Sequence, residues 1–174
     1  MVLRDKEPVR IRRYIQDYDD PYLSTLKPDE VAVCQECRSV YTGGRWELED
    51  KSDALLKAEN VTEVLCPACR KIKDHVPGGV ATFSGKFLEG HTEEILNLFQ
   101  HENRKSMEIN PLERIIDIEH SDSTITVLTT NEKLAQKLGR AVYKAYNGQI
   151  EYQWPEDGKL ARVYWSRDDA GSSR

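Results

Sequence analysis

The chain has 174 residues, and its 25 Lys and Arg against 30 Asp and Glu give a formal net charge of -5. Hydrophobic residues make up 39% and charged residues 32%, which excludes a wholly disordered chain and predicts one medium domain, or one domain with a small appendage. A histone-like or ribosomal-protein-like polycation is also excluded, because neutralising many phosphates needs a large surplus of Lys and Arg. Any nucleic-acid surface must therefore be local.

The beginning of the chain is charged from Arg4 onward and contains no apolar stretch typical of a secretory signal. No apolar run elsewhere approaches the roughly 20 residues that cross a bilayer. We therefore expect a cytoplasmic protein with no membrane partner. In a reducing cytosol the four cysteines are not expected to form structural disulfides, so their spacing indicates metal binding or redox chemistry.

Charge is separated along the first part of the chain. Residues 1–13 carry a net charge of +3 and residues 14–33 a net charge of -4, with three prolines and little apolar periodicity. This pattern predicts a flexible, charged N-terminal arm over residues 1–30. Two interpretations stay open, a solvated disordered tail and a basic arm that becomes ordered on a polyanion.

The strongest chemical signal is a pair of Cys-x2-Cys motifs separated by 28 residues, formed by Cys34, Cys37, Cys66 and Cys69. Two residues between cysteines let both sulfurs of a tight turn reach one ion, and two such turns supply the four ligands of a tetrahedral Zn²⁺ site. Such a closed site has no open coordination position, so we expect the zinc to stabilise folding rather than to perform chemistry. A thioredoxin-like redox dithiol is the alternative.

The segment between the two motifs is somewhat longer than in most ribbons. It contains a plausible hairpin over residues 40–46 and a helix-forming run over residues 53–58. We predict a zinc-ribbon module with an elaborated tip over residues 31–78. With four cysteines filling the site, His75 is expected to be a loop residue.

After a turn signal at Val76–Gly79 the pattern changes to alternating strands and helices. The predicted elements are strands at 80–88, 112–119, 124–129, 149–154 and 160–165, a helix at 92–103, and a helix between Asn131 and Asn147-Gly148. The predicted fold class is therefore α+β: a zinc ribbon followed by a ferredoxin-like β-α-β-β-α-β sandwich with an extra terminal strand, over residues 79–167. Two helices would cover one face of an antiparallel sheet. Residues 168–174 are predicted to be a disordered tail.

Basic residues form two groups that RNA phosphates could contact. One is a ridge on the second predicted helix, about 16 Å long at a rise of about 1.5 Å per residue, and it comprises Lys133, Lys137, Arg140 and Lys144. The other flanks the cysteine motifs and comprises Arg38, Arg70, Lys71 and Lys73. An RNA-binding ribbon needs such cations, whereas ordinary solvated surface is the alternative.

Aromatic and arginine side chains alternate in the terminal hairpin, as in Tyr152, Trp154, Arg162, Tyr164 and Trp165. Such a pattern can stack on splayed bases. Strand alternation assigns most of these aromatics to the core and leaves Arg162 and Tyr164 as the expected exposed pair. The strand at 124–129 lacks the aromatic signature of an RNA-recognition motif, which argues against that fold.

No catalytic constellation is evident. The sequence contains no nucleophile-elbow pattern, no phosphate-cradling glycine loop and no His-Glu-x-x-His motif. The histidines His91, His101 and His120 are isolated, and His91 is expected to cap a helix or lie on the surface. We therefore expect a protein that is not an enzyme and has no small-molecule substrate.

Three stretches carry a resemblance to a known family: Val33–Trp46, Cys66–Arg70 and the stretch from Gly85 to Asn131, which together cover roughly residues 31–165. They are similar to small bacterial zinc-ribbon proteins related to the archaeal and eukaryotic adaptor that escorts the large ribosomal subunit out of the nucleus. The resemblance implies binding to ribosomal RNA or a ribosomal subunit, and only the four cysteines carry over as functional residues. The adaptor has more Cys-x2-Cys pairs and a long tail of transport signals. This chain has one set of four cysteines and no such pattern of signals, so nuclear export is not implied.

The leading hypothesis is a non-enzymatic zinc-binding protein that binds RNA or a ribosomal subunit, in ribosome assembly, storage or recycling. The alternative is a protein-interaction module whose structural zinc ribbon and acidic surface bind another protein. A thiol redox protein is the third hypothesis.

Overall fold

A computed structural model of the protein describes residue 22 and residues 25–48, 55, 57, 59–154 and 160–169. Several predictions fall outside these residues. They concern the arm up to residue 21, most of the helical run at 53–58, the turn at 155–159 and the tail from residue 170.

The cysteine region forms a small mixed sheet. Its strands are β1 (Val31–Cys34), β2 (Val40–Thr42), β3 (Arg45–Glu47) and β4 (Val61–Val64), arranged in the order β3-β2-β1-β4. The predicted hairpin is confirmed: β2 and β3 pair antiparallel through Gly43 and Gly44, whose φ angles of 59° and 84° suit a tight two-residue turn. In contrast, β1 and β4 run parallel.

A short helix, α1 (Pro67–Asp74), follows β4. Proline at its first position costs no hydrogen bond, because the first amides of a helix have no partner within the helix. The helix ends at His75, which takes the left-handed conformation with φ 54°. His75 is exposed, as expected for a loop residue.

The remainder of the described chain forms a second sheet with two long helices. Its strands are β5 (Gly79–Ser84), β6 (Ile115–His120), β7 (Thr124–Thr129), β8 (Gln149–Gln153) and β9 (Ala161–Ser166). Helix α2 (Thr92–Ile109) lies between β5 and β6, and helix α3 (Glu132–Tyr146) lies between β7 and β8. The predicted order of elements is therefore confirmed.

The arrangement of these strands corrects the predicted antiparallel sheet. The order is β6-β7-β5-β9-β8, and the last strand, β9, lies inside the sheet and parallel to β5. The sheet is thus mixed, and the ferredoxin-like topology is not confirmed. A hairpin of β8 and β9 after α3 produces this result, because β8 takes the edge and β9 returns between it and β5.

Three predicted boundaries also move by three residues or more, and one of them is the start of the strand predicted at 112–119, which begins at Ile115. The strand predicted at 80–88 ends at Ser84, because Gly85 has a φ of 117° and a 3₁₀ turn follows at Lys86–Gly90. The helix predicted at 92–103 continues to Ile109. By contrast, helix α3 begins as predicted, where the Asn131 side chain accepts a hydrogen bond of 3.0 Å from the amide of Leu134.

The main core lies between the second sheet and helices α2 and α3. Alternate strand residues such as Phe83, Val127 and Trp165 face the helices, which supply residues such as Phe99 and Leu138. Burying each large side chain contributes about 1.5–3 kcal/mol. A second cluster surrounds the cysteines and includes Tyr41 and Trp46. Within the described residues, no helix combines the length and apolar character needed to span a membrane.

Candidate metal centre

The four cysteines converge on one point. Their Sγ atoms all lie within 4.8 Å of one another, and Cys34, Cys66 and Cys69 are buried while Cys37 is half-buried. The Sγ atoms of Cys37 and Cys66 are 3.8 Å apart. Tetrahedral ligation with metal–sulfur bonds of about 2.3 Å requires sulfurs about 3.8 Å apart. The four cysteines can therefore hold one metal ion.

The parallel pairing of β1 and β4 brings the two motifs together. Cys34 at the end of β1 is in register with Val64 at the end of β4, so the segments that follow the two strands leave the sheet at the same end. The first motif turns back through hydrogen bonds of the Cys34 backbone to Ser39 and Arg38, at 2.8 and 3.0 Å. Arg38 closes this turn with a φ of 64°.

Backbone amides already point at two of the sulfurs. The amide of Cys66 donates to Cys34 Sγ at 3.3 Å, and the amide of Cys69 donates to Cys66 Sγ at 3.4 Å. The second bond also caps helix α1, so the helix start and the metal ligand are the same residue. Amide donors stabilise the charge of thiolates, which are the form that binds metal.

The close approach of the sulfurs lowers the pKa of two cysteines and raises the pKa of the other two. Hydrogen bonds from Cys34, Cys66 and Cys69 hold the pKa of Cys37 far below its usual range. The pKa of Cys34 falls to about 6, because the effects of Cys66 and Cys69 exceed the opposing effect of Cys37. The same neighbours, Cys34 and Cys37 foremost, raise the pKa of Cys66 and of Cys69. The close approach of the sulfurs therefore favours the thiolate form at Cys37 and Cys34 over Cys66 and Cys69.

An arginine from the segment before β6 also contacts the sulfurs. Arg114 lies just before β6, is only 8% exposed, and donates from Nη1 to Cys69 Sγ at 3.3 Å. Burial alone lowers the pKa of Arg114, but the sulfurs of Cys37, Cys69 and Cys66 more than offset this, so its pKa rises above the ordinary value. A positive charge therefore faces the cluster.

Arg114 was not among the site residues predicted from the sequence. The residue lies in a stretch predicted as the strand 112–119, and it is 45 positions from Cys69. Nothing in its local sequence separates it from other arginines. Only the tertiary fold brings it to the cysteines.

No known protein family matches this chain. Likewise, no curated protein and no solved structure matches it.

The basic residues next to the cysteine motifs differ in their environment. Arg38 and Lys73 are exposed. In contrast, the Arg70 guanidinium lies 5.4 Å and Lys71 Nζ 5.8 Å from the ring centre of Tyr22. Lys71 Nζ also donates to the carbonyl of Thr130 at 3.0 Å. The structure thus engages Arg70 and Lys71 in contacts within the chain.

The ridge on α3 is not uniform. Lys133 and Lys144 are exposed, and Arg140 is half-buried. Lys137 instead forms an ion pair of 2.5 Å with the buried carboxylate of Glu113 and lies 3.3 Å from Ser106 Oγ. The four cations therefore do not present four equal charges to solvent.

The aromatic residues of the last hairpin divide largely as predicted. Trp165 is buried and Tyr152 packs against the main core. Arg162 and Tyr164 are exposed on the opposite face of the sheet, because Val163 and Trp165 of the same strand face inward. Trp154 is exposed as well. The hairpin thus supplies the exposed pair that the alternation predicted.

The isolated histidines occupy surface or partly buried positions. His91 follows the 3₁₀ turn, where its ring stacks on Phe87 with a centroid separation of 3.9 Å. Its Nδ1 lies 2.8 Å from the Phe87 carbonyl. His101 and His120 are exposed.

A groove of about 730 Å³ separates the first sheet from the segment that leads into β6. Tyr41 and Trp46 line one side, and Leu112 and Ile109 line the other. Ile109 is 80% exposed at the end of α2.

Proposed function

We propose that the protein is a non-enzymatic zinc-binding protein that binds RNA or a ribosomal subunit. The observation that supports zinc most directly is the convergence of four cysteine sulfurs within 4.8 Å of one another. Four sulfur ligands in tetrahedral array favour zinc, which has no geometric preference of its own and accepts thiolates readily. The same closed ligand set leaves no position for a reacting water.

RNA binding is the further step of the proposal, and the exposed cations support it. Arg38, in the first cysteine turn, and Lys73, near the end of α1, are exposed. Lys133 and Lys144 add two exposed charges on α3. With a net charge of -5, the chain can bind phosphates only through such local groups.

Sedimentation with ribosomes and RNA tests the RNA step. One double variant carries Lys133→Glu and Lys144→Glu on α3. The control is a second double variant, Arg104→Glu with Lys105→Glu on α2, which makes the same change in charge at two exposed residues outside the predicted surface. Binding should weaken by roughly tenfold or more in the first variant, and it should weaken in the wild type as salt rises. Equal effects of the two variants, or binding that does not respond to salt, contradict RNA contact by this ridge.

A protein-interaction module is the second candidate, and the groove favours it. Apolar and aromatic walls beside an exposed isoleucine suit a peptide better than a phosphate chain. Capture from a lysate with and without nuclease separates the two functions. Co-purification of ribosomal RNA that nuclease removes supports the first candidate, whereas a defined protein that remains after nuclease treatment supports the second.

A further inference from the structure

Arg114 connects the metal centre to the second sheet through a set of polar contacts. Its guanidinium donates to Cys69 Sγ at 3.3 Å from Nη1 and to the Pro111 carbonyl at 2.7 Å from Nε. Its backbone amide donates to Thr130 Oγ1 at 2.9 Å, and its carbonyl accepts from the Thr130 amide at 2.9 Å. One residue thus contacts a metal ligand with its side chain and the end of β7 with its backbone.

Charge explains why an arginine suits this buried position. A divalent ion with four thiolates carries a net charge of -2, and a buried charge without compensation is strongly unfavourable. A guanidinium supplies a positive charge and several N–H donors in one rigid plane. Hydrogen bonds from such outer groups orient metal ligands and adjust their donor strength.

The guanidinium is not fully satisfied by neutral acceptors. Nη2 of Arg114 is buried and has no hydrogen-bond partner among the described residues. A buried N–H group in this state is unfavourable unless nearby negative charge compensates it. The sulfurs of Cys37, Cys66 and Cys69 lie close enough to interact electrostatically with this side chain. The negative charge of a loaded metal centre would supply that compensation.

Other contacts follow the same route between the two sheets. Lys71 on α1 donates to the Thr130 carbonyl at 3.0 Å, and the Thr130 hydroxyl donates to the carbonyl of Leu112 at 2.5 Å. The Leu112 side chain packs into the hydrophobic cluster around the cysteines. Thr130 therefore joins α1, which begins at a metal ligand, to the segment that carries Arg114.

We propose that Arg114 is a positioning residue through which metal binding at the four cysteines fixes the second sheet against the first. The metal then does more than stabilise the cysteine turns. It also orders the segment from Pro111 to Arg114 and the end of β7. This inference rests on metal binding, which is part of the proposed function, and it does not depend on RNA binding.

Full-length Arg114→Met and Arg114→Lys variants test this role, with Arg104→Met on the exposed surface of α2 as the matched control. The affinity for Zn²⁺ is measured by competition with a chelator at fixed pH. Methionine at this position should weaken binding by about 10- to 100-fold, the range seen for groups that support metal ligands. Lysine should restore part of the loss because it keeps the charge, and the control should bind like the wild type.

Two spectroscopic measurements distinguish positioning from general stability. In Co²⁺-loaded Arg114→Met, loss of the N–H···S bond should move the sulfur-to-metal charge-transfer band to lower energy. In the wild type, Zn²⁺ should slow hydrogen exchange at the amides of Arg114 and Thr130 as well as at the cysteine turns. In the methionine variant, these two amides should no longer respond to Zn²⁺.

The outcomes separate this inference from the proposed function. An unchanged affinity and an unchanged Co²⁺ band in Arg114→Met overturn the role of Arg114 alone. A wild type in which Zn²⁺ slows exchange only at the cysteine turns overturns it as well, even where the methionine variant fails to fold. A wild-type chain that takes up no Zn²⁺ overturns both this inference and the zinc-binding function.

Discussion

Lys137 on α3 and Glu113 before β6 form an ion pair with Nζ 2.5 Å from Oε2. The Glu113 side chain is only 5% exposed, and that of Lys137 is 32% exposed. The pair joins the middle of one helix to the segment that also carries Arg114. Lys137 therefore serves the fold, although its position on the ridge predicted a phosphate contact.

Replacement of Lys137 by Met should destabilise the protein. It leaves the buried Glu113 carboxylate without its cation, and the partial exposure of the pair limits the cost to about 1–3 kcal/mol of unfolding free energy. Urea unfolding measures the change. Lys133→Met, on the same ridge but exposed, should change the stability by less than about 0.5 kcal/mol. Equal effects of the two variants would show that the ion pair contributes nothing.

Each cysteine turn was predictable because its signal is local, although the parallel pairing of β1 and β4 is what brings the two turns together. Two residues between Cys34 and Cys37, and between Cys66 and Cys69, define tight turns whatever the rest of the chain does. Helix α3 was predictable for a similar reason, since Asn131 caps it and a stripe of apolar residues runs along it. In both cases the neighbours in sequence contain the physical information.

The features that the sequence did not predict depend on distant residues. The alternating pattern of β9 predicts a strand with one buried face, but it does not determine which strand becomes its neighbour or in which direction it runs. Arg114 similarly becomes a partner of Cys69 only because Thr130, just after β7, contacts both α1 and the segment before β6. Lys137 looks like its neighbours on the helix until Glu113 is placed beside it.

Loss of one cysteine should abolish tight metal binding. In Cys66→Ser the hydroxyl stays protonated and three sulfurs remain, so the affinity for Zn²⁺ should fall by roughly 100-fold or more. Chelator competition and metal analysis measure the change, and the wild type should hold one Zn²⁺ per chain. Removing the metal from the wild type should also raise hydrogen exchange at the cysteine turns.

Ser39→Ala provides a graded comparison for that cysteine variant. In the wild type, the Ser39 hydroxyl lies 3.1 Å from Cys37 Sγ and helps to lower the pKa of that thiol. The alanine variant loses this hydroxyl but keeps all four cysteines. The affinity should therefore fall by about tenfold or less. If Ser39→Ala binds as weakly as Cys66→Ser, the cysteines are not the main source of metal affinity.

Metal binding should release about two protons per ion near neutral pH. Without metal, Cys34 with a pKa of about 6 and Cys37 with a lower pKa are thiolates, whereas the pKa values of Cys66 and Cys69 are raised and these thiols keep their protons. Since only thiolates bind, the affinity should rise by about two powers of ten per pH unit. The slope should steepen to about three as Cys34 becomes protonated below its pKa.

Calorimetric titrations in two buffers with different ionisation enthalpies measure the number of protons released. A release near four would mean that the sulfurs have ordinary thiol pKa values and do not influence one another before the metal binds. A release near two supports a cluster that is already assembled in the metal-free protein.

Gly85, which directly follows β5, should tolerate substitution poorly. Its φ of 117° is a backbone conformation that residues with a side chain rarely adopt. A Cβ at this position would lie 2.0 Å from the Arg167 carbonyl oxygen. Because that atom belongs to the backbone, Gly85→Ala must displace the chain where β9 ends, and we expect a loss of about 2–4 kcal/mol in urea unfolding. Gly90, at the end of the same 3₁₀ turn, has nothing within 4 Å of its Cβ position. Gly90→Ala should therefore change the stability by less than about 1 kcal/mol, and a similar loss in both variants would contradict the close packing of Gly85 against β9.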